Sequence, residues 1–308
     1  MARAPKVSVC IPTYNQTDYL KATVESLLGQ KFEDYEVVVT DDSDNDLVEH
    51  LLAQYDFGGR LRYRKNFPRL GSPRNWNAAV LNARGEYVKL LHHDDWFPDD
   101  SALGNFVSLM DRNDKAGWGG SATSVFRADR TFVRTHCAKH DELGALARLP
   151  ETLYFGNLIG APSATIYRRA IGIEYDERLK WLVDIDFYIR VLRRNWSFVY
   201  SERVLICTLS GGGHQITEVC ANTPAIDLGE HLLVLEKLYP LLKDHPRLVT
   251  YWRTRLSRHH IWTREALEAI CPIPEQLDAL FTVVFASPLW RRLRHGVPRR
   301  LWEIFHRH

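Results

Sequence analysis

The feature that most constrains this 308-residue chain is a unit repeated through its first third: an apolar run, a polar cluster, then apolar residues at helical spacing. Residues 6–11 lead into Pro12-Thr13-Tyr14-Asn15. Leu20, Val24, Leu27 and Leu28 then predict a helix opened by Thr17-Asp18. Residues 35–40 end at Asp41-Asp42-Ser43-Asp44, before Leu47, Leu51 and Leu52. A third short strand over 61–63 precedes Ser72-Pro73-Arg74-Asn75 and a helix carrying Ala78 to Leu81. The fourth strand, 87–91, stops on His92-His93-Asp94-Asp95, and a helix is expected over 98–110. Strand-to-helix units in succession predict an α/β fold with a mostly parallel sheet flanked by helices.

Ligands of such sheets sit outside the carboxyl ends of the strands. Those ends carry Thr13-Tyr14-Asn15, Asp41-Asp42-Ser43 and His92-His93-Asp94-Asp95, so clusters distant in sequence are expected to converge on one crevice. Adjacent aspartates repel, and two at the mouth of an apolar strand point to a cation or a hydrogen-bonding ligand there.

Further along, 118–126 and 163–167 read as strands, 141–149 as a helix or a mobile loop, and 197–209 as paired strands. A helix is expected to start near Asp184, where carboxylates in a first turn are also favoured by the helix dipole. Ser210-Gly211-Gly212-Gly213-His214-Gln215 reads as a flexible turn without the lysine of a phosphate-binding loop. Beyond Thr223 the pattern is helical over 226–242 and 247–269. A net charge of +2 argues against nucleic acid, and 45% hydrophobic residues suffice for an ordinary core. Five scattered cysteines without a CxxC pair fit a reducing compartment. The first residues run into the strand pattern too soon for a signal-peptide core. No segment approaches the roughly 18 apolar residues of a membrane span.

Residues 7–15, Val39-Thr40-Asp41-Asp42-Ser43, Asn75 ahead of Gly85-Glu86-Tyr87, and the Asp94-Asp95 strand end together resemble family 2 glycosyltransferases of the GT-A (Rossmann-like) fold. The match is nearly continuous over 6–110 and looser to about 215. The resemblance implies a catalytic domain over 1–220, with a nucleotide-binding half (1–110) and an acceptor-binding half (111–220), followed by a helical C-terminal extension over 221–308. It implies an inverting, Mn2+- or Mg2+-dependent enzyme that moves a sugar from a nucleotide-diphosphate donor, UDP or dTDP sugars favoured, to a hydroxyl of a saccharide or glycoconjugate. Cell-surface polysaccharide synthesis is the expected setting.

Carried onto this sequence, the family pattern places Pro12, Thr13, Tyr14 and Asn15 against the nucleotide. Asp41 and Asp42 fall where the base edge is read, and Arg74 and Asn75 near base or diphosphate. His93 and Asp94 fall at the nucleotide sugar, and Asp95, with Asp94, at the metal. The family's leading aspartate of this motif is here His92, which can bind manganese but adds no negative charge; filling the crevice wall is the alternative. His214 lies where related enzymes place a metal-binding loop histidine, with an exposed loop histidine as the alternative. Asp184 matches the family's catalytic base, with Asp186 in reserve or toward the acceptor, and Trp181 is an acceptor-stacking ring or a core tryptophan.

The last eighteen residues hold six arginines against one acid, interleaved with tryptophan, leucine and phenylalanine. Short basic amphipathic helices of this kind lie in anionic membrane interfaces. The expectation is a cytoplasmic protein, with peripheral contact through 287–308 and a lipid-linked saccharide acceptor, against packing on the helical region or on a second subunit. Two other readings are weighed: a sugar nucleotidyltransferase, which needs a glycine-rich basic loop that Pro12-Thr13-Tyr14-Asn15 lacks, and a non-catalytic nucleotide-sugar-binding or interaction protein.

Overall fold

The structure, a computed structural model, describes residues 3–194, 197–211 and 216–286. The chain divides into two compact units, residues 1–216 and 217–308.

The first unit begins β1 (Val7–Thr13), α1 (Thr17–Leu28), β2 (Tyr35–Asp41), α2 (Leu47–Leu52), β3 (Leu61–Lys65), α3 (Arg74–Leu81), β4 (Tyr87–Leu90) and α4 (Ala102–Asp111). These strands lie parallel in the order β3-β2-β1-β4. Every residue of β1 and β2 is buried, as both faces of a central parallel strand must be. Gly85 lets β4 dock on β1: a Cβ there would lie 2.5 Å from the Ser8 nitrogen, so no other residue fits. Strand order reverses between β1 and β4, the position at which such sheets bind ligands.

The sheet then turns mixed. β5 (Ala116–Arg127), β6 (Phe132–His136), α5 (His140–Arg148), β7 (Thr165–Arg168), α6 (Val183–Arg193) and β8 (Ser197–Ser210) complete it. β7 runs antiparallel between β4 and β5, while β6 and β8 pair with β5. The result is an α/β sheet, parallel through the half that carries the motif-bearing strand ends.

Two expectations change. Residues 197–209 are one long strand, not a hairpin. Ser201 faces Ser121 and Val204 faces Ala122, so Glu202 and Arg203 are extra residues bulged out of the edge. Their polarity imitates a turn. Residues 247–269 are likewise two helices with a break between them, as the second unit shows. The segment left between helix and loop is α5, whose entering Lys139 N–H donates to the Glu142 carboxylate at 2.8 Å.

α7 (Ile216–Ala221) spans the division, and the second unit continues with α8 (Pro224–Leu242), α9 (Leu248–Arg258), α10 (Arg264–Glu268) and α11 (Asp278–Ala286). α9 stops where His260 takes a left-handed φ of 57°. The His260 N–H then donates to the Ser257 carbonyl at 3.1 Å and the Ile261 N–H to Leu256 at 3.0 Å, a Schellman ending. Apolar spacing does not register such a stop, because the usual glycine is absent. Asp227, buried in α8, accepts from Arg255 and from His259 Nε2 at 2.5 Å, while His231 Nδ1 donates to the Asp227 carbonyl at 2.6 Å. Trp252 packs edge-on to Phe281 at 4.9 Å. Among the described residues no helix is long and apolar enough to cross a membrane.

Candidate active site at the ends of β1, β2 and β4

The ends of β1 and β2 are locked by their own polar residues. Asp41 accepts from the Thr13 hydroxyl at 3.1 Å, the Ser43 N–H at 2.8 Å and the Tyr63 hydroxyl at 2.9 Å. Asp42 accepts from Asn66 Nδ2 at 2.8 Å and from the Leu70 and Gly71 N–H groups at 3.1 and 2.7 Å, wrapping residues 66–71 against the strand end. Asn75 donates to the carbonyls of Thr13 at 3.2 Å and Thr40 at 3.1 Å. All three side chains are buried. Asp41, Asp42 and Asn75, expected near the nucleotide, are buried in the structure and hydrogen-bonded within the protein. Buried acceptors at strand ends need donors, and here the protein supplies them.

What faces outward is the loop they hold. Asn15 takes a left-handed φ of 52°, tolerable for asparagine, and its N–H donates to Ser43 Oγ at 2.8 Å. Tyr14 is 41% exposed, with the Arg69 guanidinium 4.5 Å from its ring centre. Arg69 is fixed in turn on both carboxylate oxygens of Asp44, at 2.9 and 3.0 Å. Arg74 is exposed and donates to Glu177 at 2.8 Å.

At the end of β4, His92, Asp94 and Asp95 offer one ligand atom each, all within 4.8 Å of one another. The backbone there is held from two sides. The Thr23 hydroxyl of α1 reaches the carbonyls of His93 and Asp95 at 2.9 and 2.8 Å, and the His92 N–H donates to Ser163 Oγ at 2.9 Å. The His92 ring leans on Trp76, centroids 4.6 Å apart, and its Nε2 is buried without a protein hydrogen bond. Burial pushes the His92 imidazole down to about 4, so it is neutral at pH 7, the form that binds metal. Asp95 is driven well above the usual carboxylate range by burial and then by the Asp94 charge, against the pull of Ser163 and Lys89. A neutral imidazole beside two mutually repelling carboxylates fits a divalent cation, which would relieve that repulsion. His93 faces elsewhere: its Nδ1–H points to the Pro12 carbonyl at 3.4 Å.

Asp184 stands in the first turn of α6, where Oδ1 accepts from the Ile185 N–H and Oδ2 from Asn157 Nδ2, both at 2.8 Å. Burial pushes its carboxyl up to about 7. An aromatic run joins α6 to β4: Trp76 meets Tyr175 edge-on at 5.3 Å, and Tyr175 stacks on Phe187 at 4.3 Å. Asp186 is buried and accepts from Arg190 Nε at 2.7 Å, one turn along α6. Trp181 is half-buried just before α6. His214 and the tail over 287–308 lie outside the described residues.

Several contributors are not apparent from the strand-end motifs. Lys89 is fully buried in β4, donates to the Ser163 carbonyl, and is pushed down to about 7 by burial. A lysine inside an apolar strand was a legible signal. Thr23, Trp76, Asn157 and Ser163 carried none, since each acts through a partner far away in sequence.

The order of strand, acid pair and helix over this whole region matches the sequence model of Glycosyl transferase family 2 across residues 8–175. The chain belongs to that family. The abequosyltransferase RfbV of Salmonella typhimurium is 34% identical over 139 residues, 42% of this chain and 41% of that protein. Uncharacterized bacterial family relatives are 26–29% identical over 197–213 residues. The chain spans 63% or less of the length of most such curated relatives. Two solved structures share the GT-A fold. Staphylococcus aureus TarS residues 1–349 in complex with UDP-GlcNAc has a TM-score of 0.62 at 21% identity, over 94% of this chain and 87% of that one. The mannosyltransferase PcManGT of Pyrobaculum calidifontis, in complex with GDP-Man and Mn2+, has a TM-score of 0.58 at 16% identity, over 96% and 84%.

Proposed function

We propose that this chain transfers a sugar from a nucleotide-diphosphate donor, UDP or dTDP sugars favoured, to a hydroxyl of a saccharide or glycoconjugate, with inversion at the anomeric carbon. The observation that carries the reading is the His92-Asp94-Asp95 set within 4.8 Å at the strand end where sheet order reverses. A family relative named for abequosyl transfer, and related folds bound to UDP-GlcNAc and to GDP-Man with Mn2+, support such a donor.

Asp94 and Asp95 hold a Mn2+ or Mg2+ ion with His92 beside them, and the ion supplies positive charge to the departing diphosphate. Tyr14 and the loop braced by Asp42 bind the nucleotide, with Arg74 toward the diphosphate. Asp184 is the general base. It takes the acceptor proton as the acceptor oxygen bonds to the anomeric carbon, while the bond from that carbon to the diphosphate breaks and its electron pair leaves with the nucleoside diphosphate. Trp181, just before α6, gives the acceptor a ring to stack on.

Calorimetric titration with UDP, dTDP, GDP and CDP, each with Mn2+ and again with excess EDTA, tests this reading. Binding of one nucleotide that EDTA abolishes, and that Asp95→Asn weakens at least about tenfold, is expected. Metal-independent binding, or none, would refute it.

A further inference from the structure

Asn157 lies outside every recognisable motif, yet its side-chain amide makes four hydrogen bonds. Its Oδ1 accepts two backbone N–H groups, from Ile159 at 3.0 Å and Gly160 at 2.9 Å. Only an oxygen can accept there, so the network fixes which way the amide faces. Its Nδ2 is thereby turned to the Gly160 carbonyl at 3.0 Å and to Asp184 Oδ2 at 2.8 Å. The surrounding turn cannot swivel. Gly160 takes a φ of +103°, the Tyr188 hydroxyl of α6 donates to its carbonyl at 3.2 Å, and His136 Nε2 donates to the Leu158 carbonyl at 3.0 Å.

From this geometry we propose that Asn157 is the positioning residue of Asp184, aiming Oδ2 and holding the carboxylate in its charged form. The proposal rests on the reading of Asp184 as the base. Oδ1 of Asp184 accepts from the Ile185 N–H and Oδ2 from Asn157, and a carboxylate has further lone pairs for an acceptor hydroxyl. A donor to the carboxylate favours the ionised state against the burial that opposes it. The same segment serves the other half of the site, because Ser163, six residues on, receives the His92 N–H. One short stretch therefore sets both the acid cluster and the base.

Closing the turn needs only Oδ1, which separates a purely structural asparagine from a positioning one. Asn157→Asp and Asn157→Ser both keep an oxygen that can close such a turn, and neither keeps the amide N–H that reaches Asp184; the serine hydroxyl is one atom shorter. The experiment is a carbon-13 NMR titration of the aspartate carboxyls in the full chain, with Asp184→Asn identifying the signal. Asn157→Ser is expected to raise the proton affinity of Asp184 by about threefold or more. Asn157→Asp, which sets a second carboxylate against it, should raise it by about tenfold or more. An unmoved midpoint in folded Asn157→Ser would overturn the proposal, whatever the added charge does in Asn157→Asp. Sugar transfer at the normal rate by Asp184→Asn would instead overturn the reading of Asp184 as base, leaving a midpoint shift to stand by itself.

Discussion

As the proposed general base, Asp184 would combine two requirements that ordinarily conflict: ionisation, so that it can take a proton, and surroundings that resist charge. With its carboxyl pushed up to about 7 by burial, a growing fraction is protonated as pH falls below that point. Transfer is therefore expected to rise tenfold per pH unit up to about 7 and then level off, read from kcat/KM against pH. Asp184→Asn should lower kcat by about 10²- to 10⁴-fold while leaving nucleotide affinity nearly unchanged. The stability consequence has the opposite sign. The folded state binds this proton more tightly than the unfolded chain, so stability is lost as pH rises from about 4 to about 7. Thermal melts should show Asp184→Asn gaining on the parent at pH 8, by at most about 4 kcal/mol, and no gain at pH 4. Equal curves at both pH values would contradict that linkage.

At the level of elements, the network between α8 and α9 is the strongest buried polar feature of the helical unit. Burial opposes the Asp227 charge, but His231, Arg255 and His259 outweigh it and bring its carboxyl down to about 2. Burial holds the His231 imidazole down to about 4, against the pull of Asp227. Unfolding below pH 6.5 therefore takes up a proton at His231, and stability falls between about 6.5 and 4. The contribution of Asp227 is full above about 3.8 and is lost as pH falls from there to about 2. Asp227→Asn leaves the Arg255 charge without its buried partner and should cost about 3–5 kcal/mol, measured by urea titration at pH 7. The misread elements are explained at this scale too. β8 carries its polar bulge on a sheet edge, and α9 ends on histidine, so local chemistry alone suggested a turn in one place and continuity in the other.

For the molecule as a whole, the basic aromatic tail is a sequence-level proposal. The full chain should float with anionic phospholipid vesicles at low salt, and a chain ending at Ala286 should stay in the soluble fraction; equal behaviour would remove the membrane reading. The sequence by itself determined the α/β sheet, the polar clusters that follow β1, β2 and β4, and the acid pair, because alternation of apolar runs and polar clusters is a local property. Tertiary structure alone decided which protein groups meet those polar residues. Asp41 and Asp42 look in sequence like free acids, yet their oxygens accept from protein donors up to tens of residues away, and Asn75 donates to two backbone carbonyls. Conversely, Asn157, Ser163 and Lys89 acquire their roles only once folding brings them against Asp184, His92 and one another. The physical reason is that a carboxylate's role depends on whether protein donors occupy its oxygens, and in this sheet those donors arrive from other strands and loops.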